Sequence, residues 1–340
     1  MSAAYPSLEE FKRLAQPGAL VPVFREIVSD LETPVSAYMK IARGRDRAFL
    51  LESVEKADKI GRYSFLGADP SIVFKSRGNQ VTLIRKESSE TYESDDPLGE
   101  LRTLMSAYHP VKVDGLPEFH GGAVGYMAYD EVRFFETLPD DNPDPLKLPE
   151  LYLYITDTML IFDHVRNRLA IVSNAHVTND AESAYSEALA KIDALAGRLR
   201  QPLVISEEPV MGSPDEEIRS NFTRKEYCGI VEKAKEYIRA GDIFQVVLGQ
   251  RFERTSAIDP FDVYRALRAV NPSPYMVYMQ APGWPAGAPA PEGGLAPEGV
   301  ILVASSPEIL CRVEHAPDGA LKMTNRPLAG TRRRGATPEE

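Results

Sequence analysis

The sequence predicts an α+β fold, an α/β sandwich in which largely antiparallel sheets pack against helices. Short segments rich in β-branched and aromatic residues recur along the chain, and turn residues such as Gly78-Asn79 join some of them as hairpins. Segments with an apolar face at spacings of three and four residues separate these groups of strands and predict helices. Strands joined by turns and interrupted by a few helices are typical of this fold class.

The helices are predicted from capping signals and from apolar periodicity. Ser7 with Glu10 and Thr223 with Glu226 have the capping-box spacing, and Gly241 stands where a helix end favours glycine. The predicted helices cover residues 8–15, 96–108, 181–199, 223–240 and 260–270. The buried face of the fourth helix is expected to comprise Tyr227, Ile230, Val231, Ala234 and Ile238.

The strands are predicted from short apolar or alternating runs that end at turn residues. They cover residues 48–54, 63–66, 71–74, 81–84, 121–129, 151–162, 169–172, 243–252, 275–280, 300–304, 310–314 and 320–324. Residues 281–298 are almost wholly Pro, Gly and Ala and are predicted to be a loop.

The length of the chain indicates two domains, since 340 residues exceed the roughly 150 residues of one ordinary domain. The stretch 200–219 contains three prolines and five acidic residues and predicts the boundary. We therefore expect one domain over residues 1–205 and a second over residues 220–340.

The charge balance limits the classes of partner. The chain has 39 Lys and Arg against 50 Asp and Glu, and a net charge of −11 argues against nucleic acid. No segment approaches the ~20 apolar residues of a membrane span.

The only two cysteines, Cys228 and Cys311, favour a cytoplasmic protein and are expected to lie in the core. The five histidines lack zinc-ligand spacing, and no Gly-x-Ser-x-Gly elbow of a serine hydrolase occurs.

The first stretch that could carry chemistry is the strand predicted over residues 243–252. Strand alternation would place Gln245 and Arg251 on one face and apolar side chains on the other, as in the wall of a binding site. The alternative is an edge strand with one solvated face.

Two later stretches also combine polar groups. Residues 304–308 end a β-run in two serines, a proline and Glu308, whose carboxyl could act as a general acid or could form a helix or turn cap. Residues 325–335 offer Gly330 for close backbone approach to a ligand and Thr331 as a hydroxyl donor. Four nearby arginines favour a carboxylate-bearing partner, although an arginine run is also typical of a solvated face.

In this order, the three stretches resemble the chorismate-utilising enzymes, in particular the large components of the anthranilate synthases. Leu50–Ser53 followed by Gly61–Phe65 resembles one part of that family's tryptophan feedback site, and Asn271–Met276 resembles its other wall. The resemblance runs over essentially the whole chain. It implies that the fold is the chorismate-utilising enzyme fold, incomplete at the C-terminus.

The resemblance implies the conversion of chorismate and ammonia to anthranilate and pyruvate, a lyase reaction of tryptophan biosynthesis. Glu308 would protonate the departing hydroxyl. Gln245 would stand where water-adding relatives carry a lysine base, and Gly330 and Thr331 would bind chorismate. The feedback inhibitor L-tryptophan would be held by Ser53, Pro274, Tyr275 and Met276.

The same resemblance assigns the domains and partners. Residues 1–205 would form the N-terminal domain with the tryptophan site, and residues 220–340 the first part of the chorismate-binding catalytic domain. The Mg²⁺ ligands and a catalytic histidine would lie beyond residue 340, so that this chain would be a fragment. A glutamine amidotransferase subunit would supply the ammonia.

Two alternatives remain open at this point. An aminodeoxychorismate synthase would share most of these motifs; many of these enzymes carry a lysine nucleophile where this sequence has Ala329, and others have alanine there. A non-catalytic module that binds tryptophan or a protein partner would need only the regulatory half.

Overall fold

The computed structural model describes residues 2–54, 61–86, 88–178, 180–205, 217–282, 299–316, 318–325 and 335–337. The chain divides into two compact units. The first comprises Met1–Val204 together with Tyr264–Glu340, and the second comprises Ile205–Val263. The predicted assignment of functional domains to residues 1–205 and 220–340 stays a prediction, although the first unit draws residues from both ranges.

Five of the described α-helices begin at a side-chain cap, as the sequence predicts for Ser7 and Thr223, each of which forms a capping box with the residue three positions on. The α-helices are α1 Leu8–Leu14, α2 Pro34–Ile41, α3 Pro97–Ser106, α4 Ala181–Leu199, α5 Arg224–Ala240 and α6 Pro260–Val270, with a 3-10 helix at Tyr129–Phe134.

The strands are more numerous than the sequence analysis predicts. They are β1 Ala19–Val28, β2 Ala48–Glu52, β3 Tyr63–Ala68, β4 Ile72–Arg77, β5 Gln80–Arg85, β6 Ser89–Glu93, β7 His109–Pro110, β8 Gly122–Met127, β9 Leu151–Thr156, β10 Thr158–Asp163, β11 Arg168–His176, β12 Arg219–Ser220, β13 Phe252–Glu253, β14 Tyr275–Pro282, β15 Gly299–Ser306, β16 Cys311–His315 and β17 Leu321–Asn325.

Two packed sheets form the body of the first unit. An eight-stranded sheet has the order β15-β14-β2-β3-β10-β11-β1-β7, and a five-stranded sheet has the order β6-β5-β4-β9-β8. All pairs in both sheets are antiparallel except β1 with β7. The apolar cluster between them draws residues from both sheets. The predicted α+β sandwich is therefore confirmed.

Helices cover the outer faces of this sandwich. The helices α1, α2 and α4 pack on the eight-stranded sheet. The apolar face of α3 packs on the five-stranded sheet, against a cluster that includes Phe74 and Leu151. Because β11 is covered on both sides, every residue from Leu169 to Ala175 is buried, and its sequence shows no simple polar alternation.

The chain passes from one sheet to the other at Asp157. The sequence analysis predicts a single strand over residues 151–162, but β9 belongs to the five-stranded sheet and β10 to the eight-stranded sheet. The Asp157 carbonyl accepts a hydrogen bond from the Asn174 N–H at 2.7 Å, and its carboxylate pairs with Lys191 at 2.6 Å. The prediction of one strand is therefore wrong because apolar residues continue across the crossing.

Other elements differ from the sequence predictions. The sequence pattern did not predict β1, α2 and β6, since the buried residues of β1 do not alternate regularly with exposed ones and α2 has only eight residues. Residues 281 and 282 of the predicted loop extend β14, and residues 283–298 lie outside the described residues. Both cysteines are exposed, so their predicted burial is wrong.

The second unit contains α5, β12, β13 and the start of α6. The strand predicted over residues 243–252 is wrong, because only Phe252 belongs to a strand and no strand in the described ranges pairs with residues 243–250. Phe244 is 93% exposed and Val247 is 85% exposed. The predicted buried face of α5 is also wrong for Ile238, which is exposed, and only Ala234 of that face is fully buried.

Among the helices in the described part of the chain, none has the length and apolar character needed to cross a bilayer.

Gly125 provides a test of the packing of β8 on β9. A Cβ atom at this position would lie 1.9 Å from the Tyr152 carbonyl oxygen. We expect Gly125→Ala to lower the free energy of unfolding by about 2 kcal/mol, because moving the Tyr152 backbone away from the added methyl group costs free energy. Gly197→Ala is the matched control, because it lies in α4, where no described atom beyond the nearby backbone of its own helix and its chain neighbours comes within 4 Å of the added Cβ. This control should raise stability by up to ~1 kcal/mol. Urea denaturation measures both changes, and equal midpoints for the two variants would contradict the packing.

Candidate functional site

Two strands that are far apart in the sequence bring together the two parts of the predicted tryptophan site. The antiparallel pairing of β2 with β14 places Glu52 opposite Met276. The Val54 N–H also donates to the Ser273 carbonyl at 3.1 Å. Continuing the register by one residue places Ser53 beside Tyr275. The structure thus brings these two predicted residues together, and their role in binding stays a prediction.

The predicted inhibitor residues do not all lie on one face of the sheet. Side chains alternate along a strand, so Tyr275 shares the face of Val277, which packs between the two sheets. Met276 shares the opposite face with Tyr278, whose ring contacts the rings of Tyr38 and Tyr264 under the helices. Met276 is 1% exposed, and Pro274 is buried. Ser53 and Tyr275 therefore form the shared surface.

The Ser53 hydroxyl is an unsatisfied polar group within the described part of the chain. Its oxygen is buried, yet it has no hydrogen-bond partner among the residues that the structure describes. A buried hydroxyl without a partner costs free energy, which a ligand's polar group would recover. Ser53 and Tyr275 are both half-buried, so the surface around them is partly accessible.

A buried ion pair lies on the other face of the same strands. The Glu52 carboxylate accepts a hydrogen bond from the Arg268 guanidinium of α6, and the Glu52 side chain is 2% exposed while that of Arg268 is 32% exposed. Ser64 of the neighbouring strand hydrogen-bonds His164 at 2.7 Å. This cluster anchors α6 to the sheet below the predicted tryptophan site.

The electrostatics of this cluster follow from its burial. Burial lowers the pKa of His164, and the Glu52 carboxylate opposes that effect. Burial, with a further contribution from Glu52, raises the pKa of Tyr264. Both side chains are consequently neutral at pH 7, and the charges of the cluster are the paired Glu52 and Arg268.

Glu308 lies just beyond the end of β15, next to the segment that follows α6. The β14–β15 register places Ser306 opposite Tyr275, so Glu308 is two residues beyond a neighbour of the predicted inhibitor site. Its side chain is half-buried, and its carbonyl accepts a hydrogen bond from the Ser306 hydroxyl at 3.0 Å. The first unit therefore contains both Glu308 and the Ser53–Tyr275 surface.

The remaining predicted site residues lie elsewhere. Gln245 belongs to the second unit, where it is exposed and outside any strand, so its expected place on a strand face is wrong. A strand needs hydrogen-bonded neighbours, and the described residues supply none to this segment. Gly330 and Thr331 lie outside the described residues.

The Glu52–Arg268 pair was missed by the sequence analysis, although a signal for it exists. An acidic residue at the end of the apolar run Ala48–Leu51 indicates a buried carboxylate, and a buried carboxylate needs a cation. The identity of that cation could not be predicted, because Arg268 is 216 residues away in the sequence.

The resemblance implies Mg²⁺, an ion that acidic side chains would hold. Within the ranges that the structure covers, no group of three or more His, Cys, Asp or Glu side chains could hold a metal ion. The described residues therefore do not fit this cofactor.

Comparison with known protein families identifies the family of this chain. Residues 46–340 match the family described as chorismate binding enzyme. This chain is a member of the chorismate-binding enzyme family. The match extends across both units of the structure.

Curated members of the family cover nearly all of this chain. Anthranilate synthase component 1 of Acetivibrio thermocellus is 36% identical over 341 residues, which are 99% of this chain and 65% of the relative. The chloroplastic anthranilate synthase alpha subunit 2 of Arabidopsis thaliana is 40% identical over 97% of this chain and 53% of its own length. The chain thus spans less than two thirds of the length of these curated relatives.

A solved structure supports the fold of this family member. The crystal structure of anthranilate synthase component I from Streptococcus pneumoniae superposes with a TM-score of 0.55 at 22% sequence identity. The superposition covers 85% of this chain and 59% of that one. It shows that the two proteins share a fold.

Removal of either member of the Glu52–Arg268 pair is expected to lower stability, by a larger amount for Arg268 than for Glu52. We expect Arg268→Met to lower the free energy of unfolding by about 2 kcal/mol, because it leaves a buried carboxylate without its cation. Glu52→Gln should cost less, about 1 kcal/mol, because Arg268 is partly exposed and water can solvate it. The matched control is Arg77→Met, whose ion pair with Asp144 is exposed on both sides and should contribute less than about 1 kcal/mol. Urea denaturation provides the three values, and an equal loss in all three variants would argue against burial as the cause.

Proposed function

We propose that this chain belongs to the large component of an anthranilate synthase that converts chorismate and ammonia to anthranilate and pyruvate. The observation that carries this proposal is the 36–40% identity, over 97–99% of this chain, to proteins named as anthranilate synthase components. Gln245 supports ammonia as the nucleophile, since an amide cannot deprotonate water as a lysine base would. Ala329 supports the same reaction, because it offers no covalent nucleophile.

The proposed reaction adds ammonia to the chorismate ring and releases water and pyruvate. Ammonia forms a bond to C2 of the chorismate ring, and the C4 hydroxyl leaves as water after protonation by Glu308. The proton at C2 and the enolpyruvyl side chain then leave the ring, the methylene carbon of that side chain takes up a proton to give pyruvate, and the product is aromatic. The proton released by the added ammonia nitrogen balances the one that Glu308 donates. Gly330 and Thr331 are proposed to bind a chorismate carboxylate through a backbone amide and a hydroxyl.

The cofactor and partners belong to the same proposal. Mg²⁺ would assist the reaction from ligands outside the described residues. A glutamine amidotransferase subunit would supply ammonia, and the enzyme would act in the cytoplasm.

The proposed regulation rests on the surface formed by Ser53 and Tyr275. The hydroxyl of Ser53 would bind the charged head group of L-tryptophan, and Tyr275 would contact the indole. The buried side chain of Met276 would support this wall from the opposite face of the sheet, and Pro274 would fix the entry to the strand. Feedback inhibition by tryptophan is the function that this surface supports best.

Chorismate turnover tests the proposed reaction. The full-length gene product, mixed with chorismate, Mg²⁺ and ammonium, should produce anthranilate fluorescence. Glu308→Gln should lower kcat by about 100-fold or more, because a neutral amide cannot donate the proton at the required strength. Consumption of chorismate without fluorescence would instead indicate an aminodeoxychorismate or isochorismate product, and would contradict the assignments of Gln245 and Ala329.

Tryptophan binding tests the proposed regulation separately. Calorimetric titration of the full-length protein should show that Ser53→Ala weakens L-tryptophan binding about tenfold, the loss expected for one hydrogen bond to a charged group. Ser71→Ala is the matched control, since the Ser71 hydroxyl donates to the Ile155 carbonyl at 2.8 Å at another position in the first unit. Equal affinities for the two variants would remove Ser53 from the proposed site.

A further inference from the structure

The segment that follows α6 is hydrogen-bonded to the end of β15. The helix ends at Val270, and the Asn271 N–H still donates to the Leu267 carbonyl at 2.8 Å, which fixes Asn271 at the helix terminus. The Asn271 side chain donates to the Ser305 hydroxyl at 3.2 Å, and that hydroxyl donates to the Asn271 carbonyl at 2.9 Å. These two reciprocal bonds join α6 to the strand that leads to Glu308.

The connection continues on both sides of this pair. Ser273, which is 3% exposed, donates its hydroxyl hydrogen to the Ser306 carbonyl at 2.5 Å. The Ser306 hydroxyl in turn donates to the Glu308 carbonyl at 3.0 Å. Pro307 fixes its own φ and restricts the residue before it, so fewer backbone torsions are free between Ser306 and Glu308 than in a segment without proline.

The α6 end of this connection is itself held in place. The helix is anchored to the eight-stranded sheet by the buried Glu52–Arg268 pair and by the contact of the Tyr264 ring with Tyr278 at 5.6 Å. The bonds from Asn271 therefore tie the end of β15 to a fixed support. Without them, the pairing with Met276 of β14 would be the remaining strand contact of Ser305 within the described residues, whereas Ser306 would still pair with Tyr275 and accept the Ser273 hydrogen bond.

We propose that Asn271 and Ser305 are positioning residues that hold the Glu308 carboxyl in the orientation needed for proton donation. The inference rests on the proposed role of Glu308 as the acid, and deepens it. Neither residue touches the substrate in this proposal. They act through Ser306 and Pro307 on the backbone of Glu308, and a small displacement of a catalytic group costs rate more than binding.

Steady-state kinetics of the full-length gene product, with chorismate, Mg²⁺ and saturating ammonium, test this role. Ser305→Ala and Asn271→Ala should each lower kcat about tenfold and change the KM for chorismate by less than about twofold. Ser305→Thr should recover most of kcat, because threonine keeps the hydroxyl and suits a strand. Ser71→Ala is the matched control, since it also removes a hydroxyl that donates to a backbone carbonyl, and its kcat should stay at the wild-type value.

The outcomes separate this inference from the proposed function. If Glu308→Gln loses activity while Ser305→Ala has the same kcat as Ser71→Ala, the positioning role is wrong, whereas the assignment of Glu308 as the acid is retained. An equal loss in Ser305→Thr and Ser305→Ala would also overturn it, because the hydroxyl would then not be the cause. Wild-type protein that produces no anthranilate, or Glu308→Gln with full activity, would overturn the proposed function and this inference together.

Discussion

The antiparallel pairing of β2 with β14 is the constraint on which the candidate site depends. It joins Leu51 to Val277 and Glu52 to Met276, residues more than 200 positions apart in the chain. Because side chains alternate across a sheet, this single register fixes two separate surfaces. The face between the sheets receives Ser53 and Tyr275, and the face under the helices receives the carboxylate that binds Arg268. A shift of the register by one residue would exchange these surfaces and place Glu52 in the apolar layer between the sheets.

The buried carboxylate links the fold to the proposed chemistry. Glu52 needs a cation because it is nearly inaccessible to water, and α6 supplies it through Arg268. The end of α6 then becomes a fixed point from which Asn271 reaches the end of β15. Local burial and hydrogen bonding thus connect β2, which ends next to Ser53, with the position of Glu308, although Ser53 and Glu308 belong to separate motifs in the sequence.

Local elements of this protein could be predicted from the sequence, whereas the contacts between them could not. The capping boxes at Ser7 and Thr223 and the apolar face of α4 are decided by residues within a few positions of one another. The predicted strand at residues 243–252 has an equally clear pattern, but a strand also requires partners, and no described strand pairs with residues 243–250. The motifs around Ser53 and Glu308 could be found by resemblance. Their adjacency, and the Asn271–Ser305 bonds, required the three-dimensional structure.

The order of strands in the larger sheet has a consequence for biosynthesis. Strand β2 emerges from the ribosome early, but β14, which covers its edge, follows some 220 residues later. At ~5–20 residues per second, this interval lasts roughly 10–45 seconds. During that time the apolar run Ala48–Leu51 presents an open strand edge to other nascent chains. The same pairing that assembles the candidate site in the finished protein therefore defines the period in which the growing polypeptide is most exposed to aggregation and most in need of chaperones.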